Sequence, residues 1–227
     1  MRGWSLVPRI AMLAVLTACA STGSSSTTVA DPARAAATPR VAATDTSGYI
    51  PAGYGSLRQD DIAMRVTANG LTIRAIPLDE NFIRTLSPDS YKTLHDLGQS
   101  KRTEIDAIVR RTGLPVVNLW YVSFFNLEQG EARFSPQEVV LTNQGRDFRP
   151  LDVIPLTPGF GNQRLRQREQ AHALYVFDGG INLNQSTALR IEGLMGGDWQ
   201  PVIQRVERER ALIRSRASGG SRPPPLD

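Results

Sequence analysis

Two residue types that often carry chemistry are rare in this chain of 227 residues, which has one cysteine, Cys19, and two histidines, His95 and His172. Histidine suits proton transfer near neutral pH, but neither histidine has a second ligand at a metal-binding spacing. The sequence also has no Gly-x-Ser-x-Gly nucleophile elbow and no phosphate-binding lysine loop. We therefore expect His95, in a predicted helix, and His172, just before a predicted strand, to be surface or hydrogen-bonded structural residues. We predict no cofactor.

Paired carboxylates offer one route to hydrolysis. Glu128 with Glu131, and Asp60 with Asp61, are close enough in sequence to act together, but glycosidase chemistry also requires a cleft and a raised pKa. Solvated loop charges are the simpler interpretation. A hydrolase with a carboxylate site stays an alternative.

A short loop resembles part of a calcium site. Asp178, Asn182 and Asn184 would supply its oxygen ligands, and Gly179-Gly180 lies between them. The glycine position and the terminal glutamate of the twelve-residue calcium loop are both missing. We therefore predict a turn after a strand, without metal.

Arginines form two clusters. One contains Arg164, Arg166 and Arg168, and the other contains Arg208 and Arg214 in an arginine-rich predicted helix. In an extended segment, alternate residues share one face. Either cluster is a candidate contact for an anionic partner such as a lipid headgroup, a cell-wall polymer or an acidic protein patch. The alternative is a solvated face, because Glu207 and Glu209 are interleaved in the helix.

The net charge does not indicate a nucleic-acid partner. The chain carries a formal charge of +4, with a pI near 9.6. Arg2 and Arg9 lie in the leader described next, so the rest of the chain is close to neutral and lacks the basic stripe that nucleic-acid binding requires.

The first residues have the pattern of an export signal. Arg2 and Arg9 are followed by an apolar run over residues 10–16, which is too short to span a bilayer as a helix. The run ends in Leu16-Thr17-Ala18-Cys19, which resembles the lipobox of bacterial lipoproteins. This resemblance implies that residues 1–18 are a signal peptide and that the Cys19 thiol is lipidated. The acyl chains would anchor the protein to a membrane, since each buried methylene contributes about 0.8 kcal/mol.

The residue after the cysteine is Ala20 rather than aspartate. By analogy with Gram-negative lipoproteins, this implies sorting to the outer membrane, with the domain facing the periplasm. Residues 19–55 are rich in Ser, Thr, Ala, Pro and Gly, so we predict a lipidated disordered tether. A single domain over residues 56–217 and a flexible tail over 218–227 follow.

The clearest local signal in the domain is a β-hairpin. Asn69-Gly70 stands between alternating apolar runs, and this dipeptide favours a two-residue turn with positive φ at both positions. That turn pairs Ala68 with Leu71, Val66 with Ile73 and Met64 with Ala75, which places all six on one face.

Two helices are also predicted. Residues 88–112 begin with Ser87-Pro88 and end before Gly113, although Gly98 and Ser100 weaken the middle. Residues 199–216 form the second, and we expect Trp199, Val202, Val206 and Ile213 to pack on the domain.

The remaining segments read as short strands. Val116 to Phe125 is apolar on both faces and is placed centrally; the other strands are predicted at 137–142, 151–156, 173–177 and 189–194. The stretches Phe124-Phe125, Arg133-Phe134-Ser135-Pro136, Arg149-Pro150-Leu151 and Tyr175-Val176-Phe177-Asp178 resemble uncharacterised bacterial lipoproteins with immunoglobulin-like domains. The predicted fold is mainly β: an immunoglobulin-like antiparallel β-sandwich with one inserted helix and a C-terminal helix.

These observations favour a non-enzymatic interaction or structural module of the cell envelope, held to the membrane through Cys19. Its partner would be an envelope protein or a cell-wall polymer. The alternative is a cell-wall glycan or small-ligand binder that uses exposed aromatic residues such as Trp120, Tyr121 or Trp199.

Overall fold

The computed structural model describes residues 50–68, 70–158 and 160–219. The predicted signal peptide, Cys19, the tether up to residue 49 and the tail beyond Gly219 lie outside the described residues. None of the described helices is both long enough and apolar enough to cross a bilayer. The described part is mainly β, with antiparallel sheets and a C-terminal helix.

Eleven strands occur in the described residues: β1 (Met64–Ala68), β2 (Leu71–Pro77), β3 (Val117–Asn126), β4 (Ala132–Arg133), β5 (Val140–Asn143), β6 (Arg146–Phe148), β7 (Asp152–Pro155), β8 (Arg164–Leu165), β9 (Gln170–Asp178), β10 (Thr187–Ile191) and β11 (Leu194–Gly196). Five form a sheet in the order β1-β2-β3-β9-β7, and four form a second in the order β11-β10-β5-β6. β4 pairs with β8 in a small third sheet. All the pairings between these strands are antiparallel.

The described helices are α1 (Glu80–Ile83), α2 (Pro88–Ser100), α3 (Arg102–Thr112) and α4 (Gln200–Ser218). The single helix predicted over residues 88–112 is therefore two helices. The helical backbone is interrupted at Lys101, which has φ −101° and ψ 7°. This break comes directly after Gly98 and Ser100, the two residues of low helix propensity. α3 ends as predicted, with Gly113 in the left-handed region at φ +68°.

The predicted hairpin is confirmed in its register. β1 pairs with β2 so that Met64 faces Ala75, Val66 faces Ile73 and Ala68 faces Leu71. Gly70 has φ +81°, as a two-residue turn of this kind requires.

β3 lies in the middle of the five-stranded sheet, as predicted. On its front face, Trp120, Val122 and Phe124 are buried in a core that also includes residues of the four-stranded sheet. On its back face, Leu119 packs in a smaller apolar cluster with Ile105 and Ile108 of α3. The five-stranded sheet is therefore covered by the second sheet on one side and partly by helices on the other.

α4 packs on the domain through the stripe that the sequence predicted. Val202, Val206 and Ile213 are buried, and so is Trp199 at the residue before the helix. Three arginines of this helix also reach backbone carbonyls elsewhere: Arg205 donates to Asp61, Arg210 to Asn81 and Arg216 to Tyr54.

The predicted boundary at residue 55 is too late, because the chain already packs on the domain at Ile50. Ile50 is 1% exposed, and its carbonyl oxygen accepts a hydrogen bond from Arg84. A Cβ atom at Gly55 would lie 2.3 Å from the backbone of Thr85 and Leu86, so only glycine fits there. A composition rich in small residues predicted disorder, but these contacts hold residues 50–55 in place.

Two hairpin strands, β6 and β11, were not predicted, although the sequence does indicate a turn-rich link at Asn143-Gln144-Gly145. Gln144-Gly145 joins β5 to β6, and Glu192-Gly193 joins β10 to β11. All four residues have positive φ, between +48° and +81°. The sequence rule looks for Asn-Gly or Asp-Gly because those residues adopt positive φ readily. Here Gln and Glu take the same position, so the signal was weak and the strands around it were misplaced.

Candidate functional site

The site with the most convergent polar groups is a cleft at one end of the sheets, here called the end cleft. Three segments line it: Asp79, Asn81 and Phe82 at the start of α1, residues 179–184 after β9, and Glu207, Arg210 and Arg214 of α4; Asn118 of β3 lies at its base. The cleft has a volume of about 500 Å³, which lies within the range of small-molecule sites, roughly 300–1,000 Å³.

The loop over residues 178–184 is held in one shape by hydrogen bonds. The Asp178 carboxylate accepts from the Gly180 amide at 2.7 Å, and the Asn182 side-chain oxygen accepts from the Asn184 amide at 3.0 Å. The indole N–H of Trp199 donates to the Leu183 carbonyl at 2.7 Å. Gly179 fits because a Cβ there would lie 2.6 Å from the Val116 carbonyl oxygen. The side chains considered as calcium ligands thus stabilise turns, and no metal-binding cluster of His, Cys, Asp or Glu occurs in the described part of the chain.

Arg210 forms a buried wall of the end cleft, and its charge is paired with Glu207, which lines the same cleft. It is only 9% exposed, and its guanidinium stacks 5.0 Å above the ring of Phe82. It donates hydrogen bonds to Glu207 and, at 3.0 Å, to the Asn81 carbonyl. Because Phe82, Glu207 and the Asn81 carbonyl hold the guanidinium in place, its position is set before any ligand binds.

Arg214, one turn further along α4, lines the same cleft and is exposed. Its guanidinium has no ion-pair or hydrogen-bond partner among the described residues. A planar guanidinium in this state binds a carboxylate through two parallel hydrogen bonds. Asn81 and Asn184, both exposed at the rim, add amide groups that can donate and accept.

The other predicted anion contacts lie elsewhere. Arg208 is exposed, and within the described residues its guanidinium donates only to the Gln204 carbonyl of its own helix, at 3.3 Å. Arg164, Arg166 and Arg168 are exposed in and after β8, and none of them lines the end cleft. Arg164 and Arg166 instead line a separate cleft together with Glu131 and Glu169. Arg164 lies 3.6 Å from Glu131, and Arg168 has φ +64°, so the three do not continue one extended strand. The structure brings Arg214 together with Arg210, which the sequence analysis had not singled out.

A second cavity, here called the side groove, lies between α2 and the back of the five-stranded sheet. It has a volume of about 490 Å³ and is lined by Gln59, Thr93, Leu94, Asp96, Leu97, Ser100, Tyr121, Leu156 and His172. The rings of Tyr121 and His172 stack at an interplanar angle of 12°, and the Tyr121 hydroxyl lies 2.9 Å from His172 Nδ1.

His172 is a hydrogen-bonded histidine inside β9 rather than before it. Its Nδ1 also lies 3.0 Å from the Ser123 hydroxyl. Burial, together with the nearby charge of Arg74, lowers the pKa of His172 below its ordinary value. Ser123 is 1% exposed, so this contact does not present a nucleophile to a substrate.

The aromatic residues proposed as an exposed glycan platform are placed differently. Trp120 and Trp199 are 0% and 1% exposed and pack near each other in the core, with ring centroids 5.9 Å apart. The prediction that Trp120 and Trp199 contact a ligand is therefore wrong, because both side chains are buried in the core. Tyr121, on the opposite face of β3, is half-buried and lines the side groove.

The carboxylate pairs do not enter either cavity. Asp60 forms ion pairs with Arg65 and Arg74, at 2.7 and 2.8 Å, and the hydrogen bond from Arg65 lowers its pKa. Asp61 accepts from the Arg58 amide. Glu128 and Glu131 are exposed in the loop after β3. His95 contacts the Glu80 carboxylate at 2.7 Å, so it too is hydrogen-bonded.

Comparison with protein-family models finds no match, and no curated protein is similar in sequence. A solved structure described as a functionally unknown protein from Listeria monocytogenes EGD-e aligns with 59% of this chain and 79% of its own, at 7% identity and a TM-score of 0.29. So low a score carries no argument about fold or function.

Proposed function

We propose that this chain is an exported lipoprotein, anchored through lipid on Cys19, whose domain is a non-enzymatic binding module of the cell envelope. In a Gram-negative cell it would lie on the outer membrane and face the periplasm. The lipobox-like sequence Leu16-Thr17-Ala18-Cys19 supports the anchor. The pairing of two antiparallel sheets around one core supports a variant of the immunoglobulin-like sandwich, a fold that commonly serves binding.

The observation that carries the binding function is the end cleft. It joins Arg214, whose guanidinium has no partner in the described part of the chain, to the buried Arg210 and to two exposed amides, Asn81 in α1 and Asn184 in the hydrogen-bonded loop. Binding to such preformed groups costs little ordering entropy. The ligand that fits is a polar molecule with a carboxylate and several hydroxyl or amide groups, as in an acidic cell-wall glycan.

A matched pair of sugars tests this proposal. N-acetylmuramic acid carries a carboxylate that N-acetylglucosamine lacks, and both would be titrated into the isotope-labelled, unlipidated chain from Ala20 onward, which keeps every described residue. We expect backbone NMR shifts at residues 179–184 for the acidic sugar and an affinity about tenfold weaker for the neutral sugar, because one charge-assisted contact is lost.

Two variants locate the contact. Arg214→Gln should weaken binding of the acidic sugar about tenfold. Arg208→Gln, on the solvent side of the same helix, should leave it unchanged. Equal affinity for both sugars, or full binding in Arg214→Gln, would contradict the proposed role of the end cleft.

The anchor is tested separately in cells. Cys19→Ser should abolish incorporation of labelled fatty acid and release the protein from membrane pellets, because no acyl chain remains to hold it. A variant that is still labelled and still sediments after a high-salt wash would show that Cys19 is not the lipidation site.

A further inference from the structure

We propose that the side groove is a second binding site, for a neutral or cationic small molecule whose apolar ring system lies against Tyr121 and whose polar group meets His172. This inference does not depend on the end cleft or on the anchor. It follows from the walls, charge and floor of the groove.

The walls are aliphatic. Leu94 and Leu97 of α2 face Leu156, which follows β7, across the groove. Gln59, Thr93 and Ser100 add uncharged polar atoms. A cavity with apolar walls and a few polar groups is the usual form of a small-molecule site.

The charge of the lining residues disfavours an anionic occupant near Asp96. Among the described residues that line the groove, Asp96 is the only Lys, Arg, Asp or Glu. Its carboxylate has no ion-pair partner in the described part of the chain. The nearby Arg74 acts at the His172 end of the groove, and its charge is shared with Asp60, to which its guanidinium donates at 2.8 Å. A neutral or cationic molecule therefore complements the groove.

The floor is aromatic and supplies one polar contact. Tyr121 and His172 stack, and Phe125 meets His172 edge-on with centroids 6.1 Å apart. His172 uses Nδ1 for the two hydroxyls of Tyr121 and Ser123, while Nε2 has no partner among the described residues. An aromatic floor favours a ring over a flexible alkyl chain, because ring faces gain contact without losing rotamer freedom.

Two dyes that share one ring system test the charge argument. N-phenylnaphthylamine is neutral, and anilinonaphthalene sulfonate carries a sulfonate; both fluoresce on entering an apolar site. In the unlipidated chain from Ala20 onward, we expect the neutral dye to bind at least about tenfold more tightly. Asp96→Asn should reduce the ratio of the two dye affinities. An unchanged ratio would show that Asp96 does not set the charge preference of the groove and would overturn that part of the proposal.

Blocking variants test the location. Leu97→Trp should fill the groove and abolish binding of the neutral dye, whereas Leu212→Trp, at an exposed position on α4, should not. If Leu97→Trp does not fold, Thr93→Trp at the exposed rim takes its place. Dye binding that survives a folded blocking variant would overturn the site.

Competition tests the preference for a ring. Naphthalenemethanol should displace the dye at lower concentration than dodecanol does, and Tyr121→Leu should remove that difference while Tyr121→Phe keeps it. Stronger displacement by dodecanol would show an acyl-chain site and overturn the proposal.

Discussion

Helix α4 and the segment from Arg164 to Arg168 are the two arginine-rich regions of the described chain, and their guanidinium groups have different contacts. In α4, Arg205, Arg210 and Arg216 donate to backbone carbonyls of segments more than a hundred residues away. In the other region, Arg164 lies 3.6 Å from Glu131 in an exposed pair. Two regions that are both rich in arginine therefore have different roles: the arginines of α4 contact distant parts of the domain, and those of the other region leave their charge in solvent.

The difference arises from what each region packs against. α4 buries a narrow apolar stripe, and its long arginine side chains extend along the protein surface beside that stripe to reach carbonyl oxygens. β8 has only two residues and ends in a turn in which the Glu169 amide donates to the Arg166 carbonyl. With no large apolar face to bury there, its arginines stay in solvent.

The largest expected effect tests whether α4 is part of the core. Val206 is fully buried, so Val206→Asp places an unpaired charge among apolar side chains and should lower the free energy of unfolding by about 3–5 kcal/mol. Leu212→Asp, at a site 50% exposed on the same helix, is the control and should change it little. Urea denaturation of the unlipidated chain measures both. Similar midpoints for the two variants would mean that α4 does not stabilise the domain.

The next effect concerns the buried carboxylate that joins α4 to the start of the domain. Glu209 is 4% exposed and accepts hydrogen bonds from the Ser56 amide, the Ser56 hydroxyl and Arg216. Glu209→Gln removes the charge opposite Arg216 and should lower the free energy of unfolding by about 2 kcal/mol. Hydrogen exchange at the Ser56 amide should also accelerate. Glu138→Gln, at an exposed position, is the control; equal losses in both would contradict a specific role for Glu209.

A smaller effect is expected at Arg210. Lysine cannot stack on Phe82 and reach both Glu207 and the Asn81 carbonyl, so Arg210→Lys should cost about 1–2 kcal/mol of unfolding free energy. Arg208→Lys should cost almost nothing, because in the described part of the chain the Arg208 side chain contacts only its own helix. Thermal unfolding of the two variants side by side is the measurement. A stable Arg210→Lys variant would show that the stacked guanidinium is not required.

The sequence predicts those elements whose signals are local. The β1–β2 register followed from one turn dipeptide and one alternating pattern, and the central position of β3 followed from its two apolar faces. The burial of Val202, Val206 and Ile213 followed from their helical spacing.

Long-range proximity could not be predicted in the same way. The end cleft joins residues near 80, 180 and 210, and no spacing within any one segment shows that they meet. Trp120 and Tyr121 are neighbours on one strand, yet one is in the core and the other in a groove. Which face of β3 is buried depends on the second sheet and on α2, and both come from segments outside β3.

The smallest effects of removing a charge are expected at the exposed arginines, and variants of Arg168 separate charge from backbone geometry. Arg164→Gln with Arg166→Gln should change the free energy of unfolding by less than about 1 kcal/mol, since exposed pairs contribute little.

Arg168 differs, because its φ of +64° is unfavourable for a side chain with a Cβ. Arg168→Gly relieves that strain but adds freedom to the unfolded chain, so we expect a net change within about 1 kcal/mol. Arg168→Val, which cannot adopt this φ readily, should instead destabilise by about 1–3 kcal/mol. Urea midpoints of all three variants decide the matter. A larger loss in the Arg164 and Arg166 double variant than in Arg168→Val would show that the charges of this region, like those of α4, hold the fold together.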